Sequence, residues 1–260
     1  MQKFNPNGTL QAIYTANSFA GTNGIAIDGS GNAWVSNFGS TAVTELLASG
    51  AESTNSPFTY AYQAGGTEVA VDPKAVWVAN YDNYGDVGRI DLSAFTVSNV
   101  EIGESNGGLA IDHNNNVYIV STYNGVIVEV SDSGTFLNPP DGYSGGAPTN
   151  PQNVTIDGLG NIFSGSYTGT SNGLPGTLLE FSSTGTLISP LNGYVASNVI
   201  PVAPQVADSI SVDGSGNLWM AGTNNGSTAP NYVAEVIGIA APAVTPKSVA
   251  TANNTIGVRP

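Results

Sequence analysis

Residues 24–36 read Gly-Ile-Ala-Ile-Asp-Gly-Ser-Gly-Asn-Ala-Trp-Val-Ser. An alternating apolar run ends on an aspartate, a Gly/Asn turn follows, and a second apolar run carries an aromatic. The pattern Ile25-Ala26-Ile27-Asp28 with Trp34 returns as Val69-Ala70-Val71-Asp72 with Trp77 and Leu109-Ala110-Ile111-Asp112 with Tyr118. It returns again as Val154-Thr155-Ile156-Asp157 with Phe163 and Ile210-Ser211-Val212-Asp213 with Trp219. Successive aspartates are 44, 40, 45 and 56 residues apart, and a period of that size marks a repeat architecture.

Within the first copy, residues 24–28 alternate and are β-branched, which predicts a short strand. Gly29-Ser30-Gly31-Asn32 predicts a tight turn, because Gly and Asn accept positive φ at low cost. Further strands are predicted at 33–36, 42–47 and about 57–63. Four antiparallel strands in roughly 45 residues form the blade of a β-propeller. A β-sandwich also has closely spaced turns but gives no reason for five copies of one motif.

A second register runs with the first. The third strand of each copy carries a charged residue before an apolar one: Glu45-Leu46, Arg89-Ile90, Glu129-Val130, Glu180-Phe181 and Glu235-Val236. Lys3-Phe4 is a sixth instance, and its tail, Asn5-Pro6-Asn7-Gly8-Thr9, matches Ser131-Asp132-Ser133-Gly134-Thr135. The expected fold is therefore all-β, a propeller over residues 1–239. Repeats lie near 24–63, 68–102, 108–144, 153–195 and 209–239, with a partial blade at 1–19. Five clear blades and a partial one suit a six-bladed ring or part of a larger one. Residues 240–260 lack the motif and read as an extended strap, with room for one outer strand. Met1-Gln2-Lys3-Phe4 leads straight into repeat material, which suggests a removed leader or a piece of a longer chain.

The repeated positions have mechanical explanations. An aspartate at a strand end can accept backbone N–H bonds from the following turn. Asp28, Asp72, Asp112, Asp157 and Asp213 are thus expected to be structural. Trp34, Trp77, Tyr118, Phe163 and Trp219 are expected to pack between blades, where large rings supply apolar area at modest entropic cost.

Five Lys+Arg against 19 Asp+Glu give a formal charge of -14, which excludes the cationic footprint that nucleic acids and anionic membranes require. No apolar run approaches the roughly 20 residues of a membrane helix. The chain has no cysteine, so disulfides, thiolate metal sites and cysteine nucleophiles are excluded. The Gly/Ser/Thr/Asn-rich, lysine-poor composition points to an extracellular, periplasmic or cell-envelope location. Sequons at Asn7, Asn153, Asn225 and Asn253 matter only in a glycosylating host. No phosphate-binding glycine loop or zinc spacing occurs, and the glycines are read as turn residues.

The pattern Gly-x-Ala-x-Asp-x-x-Gly-Asn-x-Trp-Val, followed by a Val-x-Glu-type strand, resembles the NHL-repeat family and the related streptogramin (virginiamycin B) lyase-like propellers. Residues 24–36 and 209–221 carry it best, and it extends from Phe4 to about Ile239. The end of the chain is similar to that of secreted bacterial propellers. The lyase members imply a histidine-centred, magnesium-assisted elimination. Here the one histidine, His113, sits in the turn Asp112-His113-Asn114-Asn115-Asn116, a solvated position. Ser-His-Asp catalysis meets the same shortage.

Hairpin topology puts the start of each first strand and the end of each second strand on one face of the disc. First-strand starts carry Asn23, Glu68, Asn106, Gln152 and Asp208; second-strand ends carry Asn37, Asn80, Thr122, Ser166 and Thr223. Tyr81, Tyr84, Tyr123 and Tyr167 lie in nearby loops. Such a ring of amides and hydroxyls with aromatics suits a carbohydrate or a protein segment. Alternatively Glu68 and Asp208, with asparagine neighbours, would suit Ca²⁺ or Mg²⁺ through oxygen. Gluconolactonase-like propellers are similar in using Glu, Asn and Asp around the axis for metal-assisted hydrolysis. Asp82-Asn83-Tyr84-Gly85-Asp86 offers Asp82 and Asp86 as weaker metal candidates but lacks the ligand ladder of an EF-hand. No motif requires a cofactor. The residues favour a binding or interaction scaffold over an enzyme. A metal-assisted lyase or lactone hydrolase is the first alternative. A self-associating module that exchanges strands is the second.

Overall fold

The computed structural model describes residues 1–61, 63, 65–81, 85–103, 106–138, 142–145, 150–167, 177–191, 193–195, 209–222 and 232–242. Every regular element among them is a strand. β1 (Gln2–Phe4) and β2 (Leu10–Ile13) form a two-stranded sheet of their own. The first motif copy gives β3 (Thr22–Ile27), β4 (Ala33–Asn37), β5 (Ala42–Leu46) and β6 (Phe58–Thr59). The second gives β7 (Gly66–Val71), β8 (Ala75–Asn80), β9 (Asp86–Asp91) and β10 (Val97–Glu101). The third gives β11 (Asn106–Ile111), β12 (Val117–Ser121) and β13 (Val126–Val130). The fourth gives β14 (Asn150–Ile156), β15 (Ile162–Tyr167), β16 (Thr177–Phe181) and β17 (Tyr194–Val195). The fifth gives β18 (Ser209–Val212), β19 (Leu218–Gly222) and β20 (Tyr232–Val236). Each copy is one antiparallel sheet in sequence order, and the molecule is a β-propeller.

Two boundaries differ from the sequence reading. The first strand begins at Thr22, upstream of Gly24, because a bulge lets pairing continue past that glycine. The first copy's fourth strand is only Phe58–Thr59. Fourth strands vary from copy to copy: β10 pairs with β9 over five residues, β17 with β16 over two, and the described part of the third copy has an isolated bridge, Ile127 to Tyr143.

The repeated aspartate organises its hairpin turn. Asp28 Oδ1 accepts the backbone N–H groups of Ser30 and Asn32, and Oδ2 accepts Asn32 Nδ2 and the Trp34 indole at 3.1 Å. Asp72 and Asp213 accept the indoles of Trp77 and Trp219 at 2.9 and 3.0 Å. Asp112 and Asp157 make the same turn bonds, and the third copy's aromatic, Tyr118, donates instead to Glu129. The fourth turn residue adopts positive φ, which explains Gly31 (82°) and the asparagine at 115 (65°), the non-glycine type that tolerates that region best.

Four apolar cores hold the sheets together, one between each consecutive pair of motif sheets. Trp34 and Phe58 meet Val69, Val71 and Ile90; Trp77 meets Leu109 and Ile111. Tyr118 and Ile127 meet Val154 and Phe181; Phe163 and Leu178 meet Ile210, Val212 and Met220. Each interface thus takes the aromatic of one copy and the alternating apolar residues of the next. At the two ends the pattern is uncovered: Ile25 is 52% exposed on β3, and Trp219 is 42% exposed on β19.

The sheet of β1 and β2 is not hydrogen-bonded to β18–β20 among the described strands. Its turn nevertheless repeats the others: Asn5 N to Thr9 O and Gly8 N to Asn5 O match Ser131 N to Thr135 O and Gly134 N to Ser131 O. In the described part of the C-terminal strap, Ala240 and Ala241 form no strand. Ala240 N donates to Gly216 O and Ala241 N to Asp157 Oδ2. Residues 243–260 lie outside the described residues.

Candidate functional site

The first strands lie side by side, β3 against β7, β7 against β11, β11 against β14 and β14 against β18, and so line the centre. Four of them carry an irregularity at the same place. Register shifts fall between Thr22 and Ile25, Gly66 and Val69, Asn106 and Leu109, and Pro151 and Asn153. A bulge places an extra residue on one strand and re-aims its side chain. The residues so displaced include Asn23, Thr67, Glu68 and Gln152.

Glycine permits the accompanying close approach. A Cβ at Gly24 would lie 2.7 Å from Thr67 O, and one at Gly107 would lie 2.4 Å from Gln152 O. Hydroxyls stitch the same layer from sheet to sheet. Ser36 Oγ donates to Thr67 O at 3.1 Å, Thr67 Oγ1 to Gly107 O at 3.0 Å, and Thr122 Oγ1 to Pro151 O at 2.9 Å.

The result is an open cavity of about 450 Å³ bordered by all five first strands, within the size range of small-molecule sites. Its polar groups are Asn23, Glu68, Gln152, Asn153 and Ser209, with Tyr81 at the rim. Across the centre, Asn153 Nδ2 on β14 donates to Glu68 Oε2 on β7 at 3.1 Å. The absence of a side chain at Gly108 makes this possible, since a Cβ there would sit 2.7 Å from that oxygen. Among the described residues, Glu68 is the one carboxylate lining the cavity.

Of the candidates read from sequence, Asn23, Glu68 and Gln152 meet in this cavity. The described second-strand residues, Asn37, Asn80, Thr122 and Ser166, are not among those that line it. Asn37 is buried and occupied: its Oδ1 accepts Ala20 N, and its Nδ2 donates to Ala42 O and Thr44 Oγ1. Asn80 is buried and donates to Gln63 O and to Asp86 Oδ1. Asp86 is itself buried at the start of β9. Ser166 is buried, and Thr122 is committed to Pro151. Asp82, Tyr84, Asp208, Thr223 and the side chains of Asn106 and Tyr167 lie outside the described residues. Tyr123 is exposed. His113 is exposed in the β11–β12 turn, at the opposite end of the strands from the mouth.

Asn153 and Thr67 also border the cavity, and sequence reasoning passed them over as site residues. The signal was a glycine or doubled glycine inside a strand pattern, which indicates a bulge or close backbone approach. Among the described residues, no group of three or more His, Cys, Asp or Glu side chains converges as a metal cage.

No family model matches the chain, and no curated protein does. Solved structures do. The chain is similar to a catalytically inactive virginiamycin B lyase from Staphylococcus aureus bound to quinupristin, with 14% identity and a TM-score of 0.64, covering 85% of this chain and 69% of that one. It is similar to a gluconolactonase from Xanthomonas campestris, with 18% identity and a TM-score of 0.60, covering 85% and 75%. It is also similar to PorZ, a surface component of the type-IX secretion system of Porphyromonas gingivalis, with 17% identity and a TM-score of 0.59, covering 85% and 34%. At these identities the likeness establishes the fold, and the chain is a β-propeller of the kind shared by virginiamycin B lyases and gluconolactonases.

Proposed function

We propose that the protein is a binding module of the cell exterior or envelope, and that its axial mouth takes a hydroxyl-rich ligand, a carbohydrate before a protein segment. The observation that carries this reading is the convergence of Asn23, Glu68, Gln152 and Asn153 with Tyr81 on one cavity. Among the described lining residues, one carboxylate among neutral amides matches an uncharged ligand with many donors and acceptors. Exposed Tyr81 supplies an aromatic face with a polar tip. The Gly/Ser/Thr/Asn-rich, lysine-poor composition supports a location outside the cytoplasm, which fractionation of the producing cells tests.

A glycan array followed by titration with the hits is the direct test. Binding should fall roughly tenfold or more in Glu68→Gln, which loses a charged hydrogen-bond partner, and also in Tyr81→Ala. An array without hits removes the carbohydrate reading.

The Glu68–Asn153 pair favours a second reading, a metal-assisted lyase or lactone hydrolase, and the fold is shared with a virginiamycin B lyase and a gluconolactonase. Glu68 with the amide oxygens of Asn23 and Gln152 would hold the ion, which would polarise a substrate carbonyl. Ca²⁺ takes 6–8 oxygens, so this described set is sparse and ranks behind simple binding. Metal analysis and calcium-dependent melting of Glu68→Gln separate the two readings. Self-association is a third reading, supported by the uncovered faces of β3 and β19, and light scattering across protein concentrations tests it.

A further inference from the structure

On the face opposite the axial mouth, the charged residue before the last apolar position of the third strand is engaged by its own device at three of the four interfaces between motif sheets. Between the second and third copies, Arg89 stands where the other copies have glutamate. Its Nε donates to Asp132 O, its guanidinium lies 5.7 Å from the Trp77 ring, and Lys74 pairs with Asp132. Between the third and fourth, Glu129 accepts the hydroxyls of Tyr118 at 3.1 Å and Tyr143 at 2.6 Å, so both oxygens are used. In the fourth copy Glu180 Oε2 accepts the Tyr194 hydroxyl at 2.8 Å, and Ala241 of the strap covers Asp157.

The first copy departs at one atom. Tyr143 and Tyr194 stand opposite Ile127 and Leu178, two residues before Glu129 and Glu180. In the first copy the residue opposite Val43, two before Glu45, is Phe58. The hydroxyl is missing. Glu45 is 4% exposed; Oε1 accepts Asn32 Nδ2 at 3.3 Å, and Oε2 has no hydrogen-bond partner. The Ser53 hydroxyl is near enough to favour the ionised carboxyl of Glu45 but lies outside hydrogen-bonding geometry to Oε2. A buried carboxylate oxygen left this way is costly, so its persistence beside a cavity calls for an occupant.

The cavity is present. About 410 Å³ lies between the first and second copies, lined by the carboxylates of Asp28, Glu45 and Asp72 and by Trp34, Leu92 and Phe95, with no Lys or Arg on its wall among the described residues. Phe95 is half exposed and held at φ 53°, a conformation costly for a bulky residue, in the β9–β10 turn. Both oxygens of Asp28 and of Asp72 already accept turn and indole N–H groups. These three carboxylates are therefore not arranged as a metal cage. They set a negative potential, while the Glu45 side chain on the wall supplies the acceptor and the aromatics supply π faces.

We propose that this cleft binds a small organic cation, an alkylammonium whose charged head is taken by Glu45 and whose apolar body lies against Trp34 and Phe95. The proposal is independent of the axial mouth. Calorimetric titration of the intact protein with cadaverine tests it, with 1-pentanol as the uncharged comparison and calcium chloride as the metal comparison. Cadaverine is expected to bind saturably at one site with a dissociation constant of about 1 mM or tighter, and pentanol is not. Glu45→Gln is expected to weaken binding roughly tenfold or more. Phe58→Tyr is the sharper variant, because it copies the fourth copy's solution, keeps the net charge and fills the orphan acceptor. It should abolish binding while the protein melts no lower. Glu68→Gln should leave cadaverine binding unchanged. Absence of saturable binding, equal binding by Phe58→Tyr and the unaltered protein, or Glu45-dependent saturation by calcium alone would each overturn the proposal.

Discussion

Trp77 and Trp219 occupy the same place in the same motif, and each donates its indole N–H to its own aspartate at nearly the same distance, 2.9 and 3.0 Å. Trp77 is fully buried and Trp219 is 42% exposed. The difference lies entirely in the neighbour. Trp77 is covered by Leu109 and Ile111 of the next copy, whereas β18–β20 have no following motif sheet among the described residues. Local sequence therefore sets the hairpin and its aspartate–indole bond, but burial energy comes from the adjacent sheet, as expected for repeat arrays.

The largest effect should separate these two residues. Trp77→Ala removes a ring from a packed core and should cost about 3–5 kcal/mol in urea unfolding. Trp219→Ala should cost about 1 kcal/mol. Equal penalties would break the comparison and mean that the β19 face is covered in solution. A concentration-dependent melting temperature would then identify a second copy as the cover.

The next contrast concerns glycines. Gly107→Ala drives a Cβ to 2.4 Å from Gln152 O, where the innermost strands nearly touch, and should cost about 1–3 kcal/mol. Gly29→Ala meets nothing within 4 Å in an exposed hairpin turn and should be neutral or slightly stabilising. Thermal melts of the pair show whether close strand approach at the mouth, rather than turn geometry, governs these glycines.

A smaller effect tests the Phe58 departure by stability alone. Phe58→Tyr should gain about 1 kcal/mol by supplying a donor to Glu45, and Tyr143→Phe should lose a similar amount by withdrawing one from Glu129. Changes of the same sign would show that the two copies do not share one design.

The parts of the fold legible in sequence were those written in a repeated, local code. Asp28 and Trp34 are six residues apart, and recurrence at a fixed period made them visible. The bulges were less legible, because Gly66, Gly107 and Gly108 use the same letter as turn glycines. The mouth was legible in half. Asn23, Glu68 and Gln152 meet there because bulged first strands aim them inward. Asn37 and Asn80 carry the same amide at an equivalent strand end, yet are spent locking loops, to Ala42 in one case and Asp86 in the other. Nothing in an isolated asparagine distinguishes those fates. The orphan oxygen of Glu45 depends on Phe58 in a fourth strand, and fourth strands carry no motif to fix their register.

The smallest effect is a pH dependence with two opposed limbs. Burial raises the carboxyls of Glu45 and Glu180 above the ordinary 4.5, opposed in part by the hydroxyls of Ser53 and Tyr194 and reinforced by Asp28 and Asp157. Their ionisation is harder in the folded state, so the stability they confer is complete below about 4.5 and is lost as pH rises through the raised values. Asp213 is held down at about 2, first by the Trp219 indole and then by turn N–H groups, and Asp91 likewise, first by Ser93. Their contribution is present above the ordinary 3.8 and is lost as pH falls toward 2. Melting temperature should therefore be highest near pH 4–5 and decline on both sides. Glu45→Gln should flatten the neutral limb and leave the acid limb alone, whereas Asp213→Asn should do the reverse. If Glu45→Gln flattened neither, its carboxyl would already be neutralised in solution, which is what an occupied cleft between the first two sheets would do.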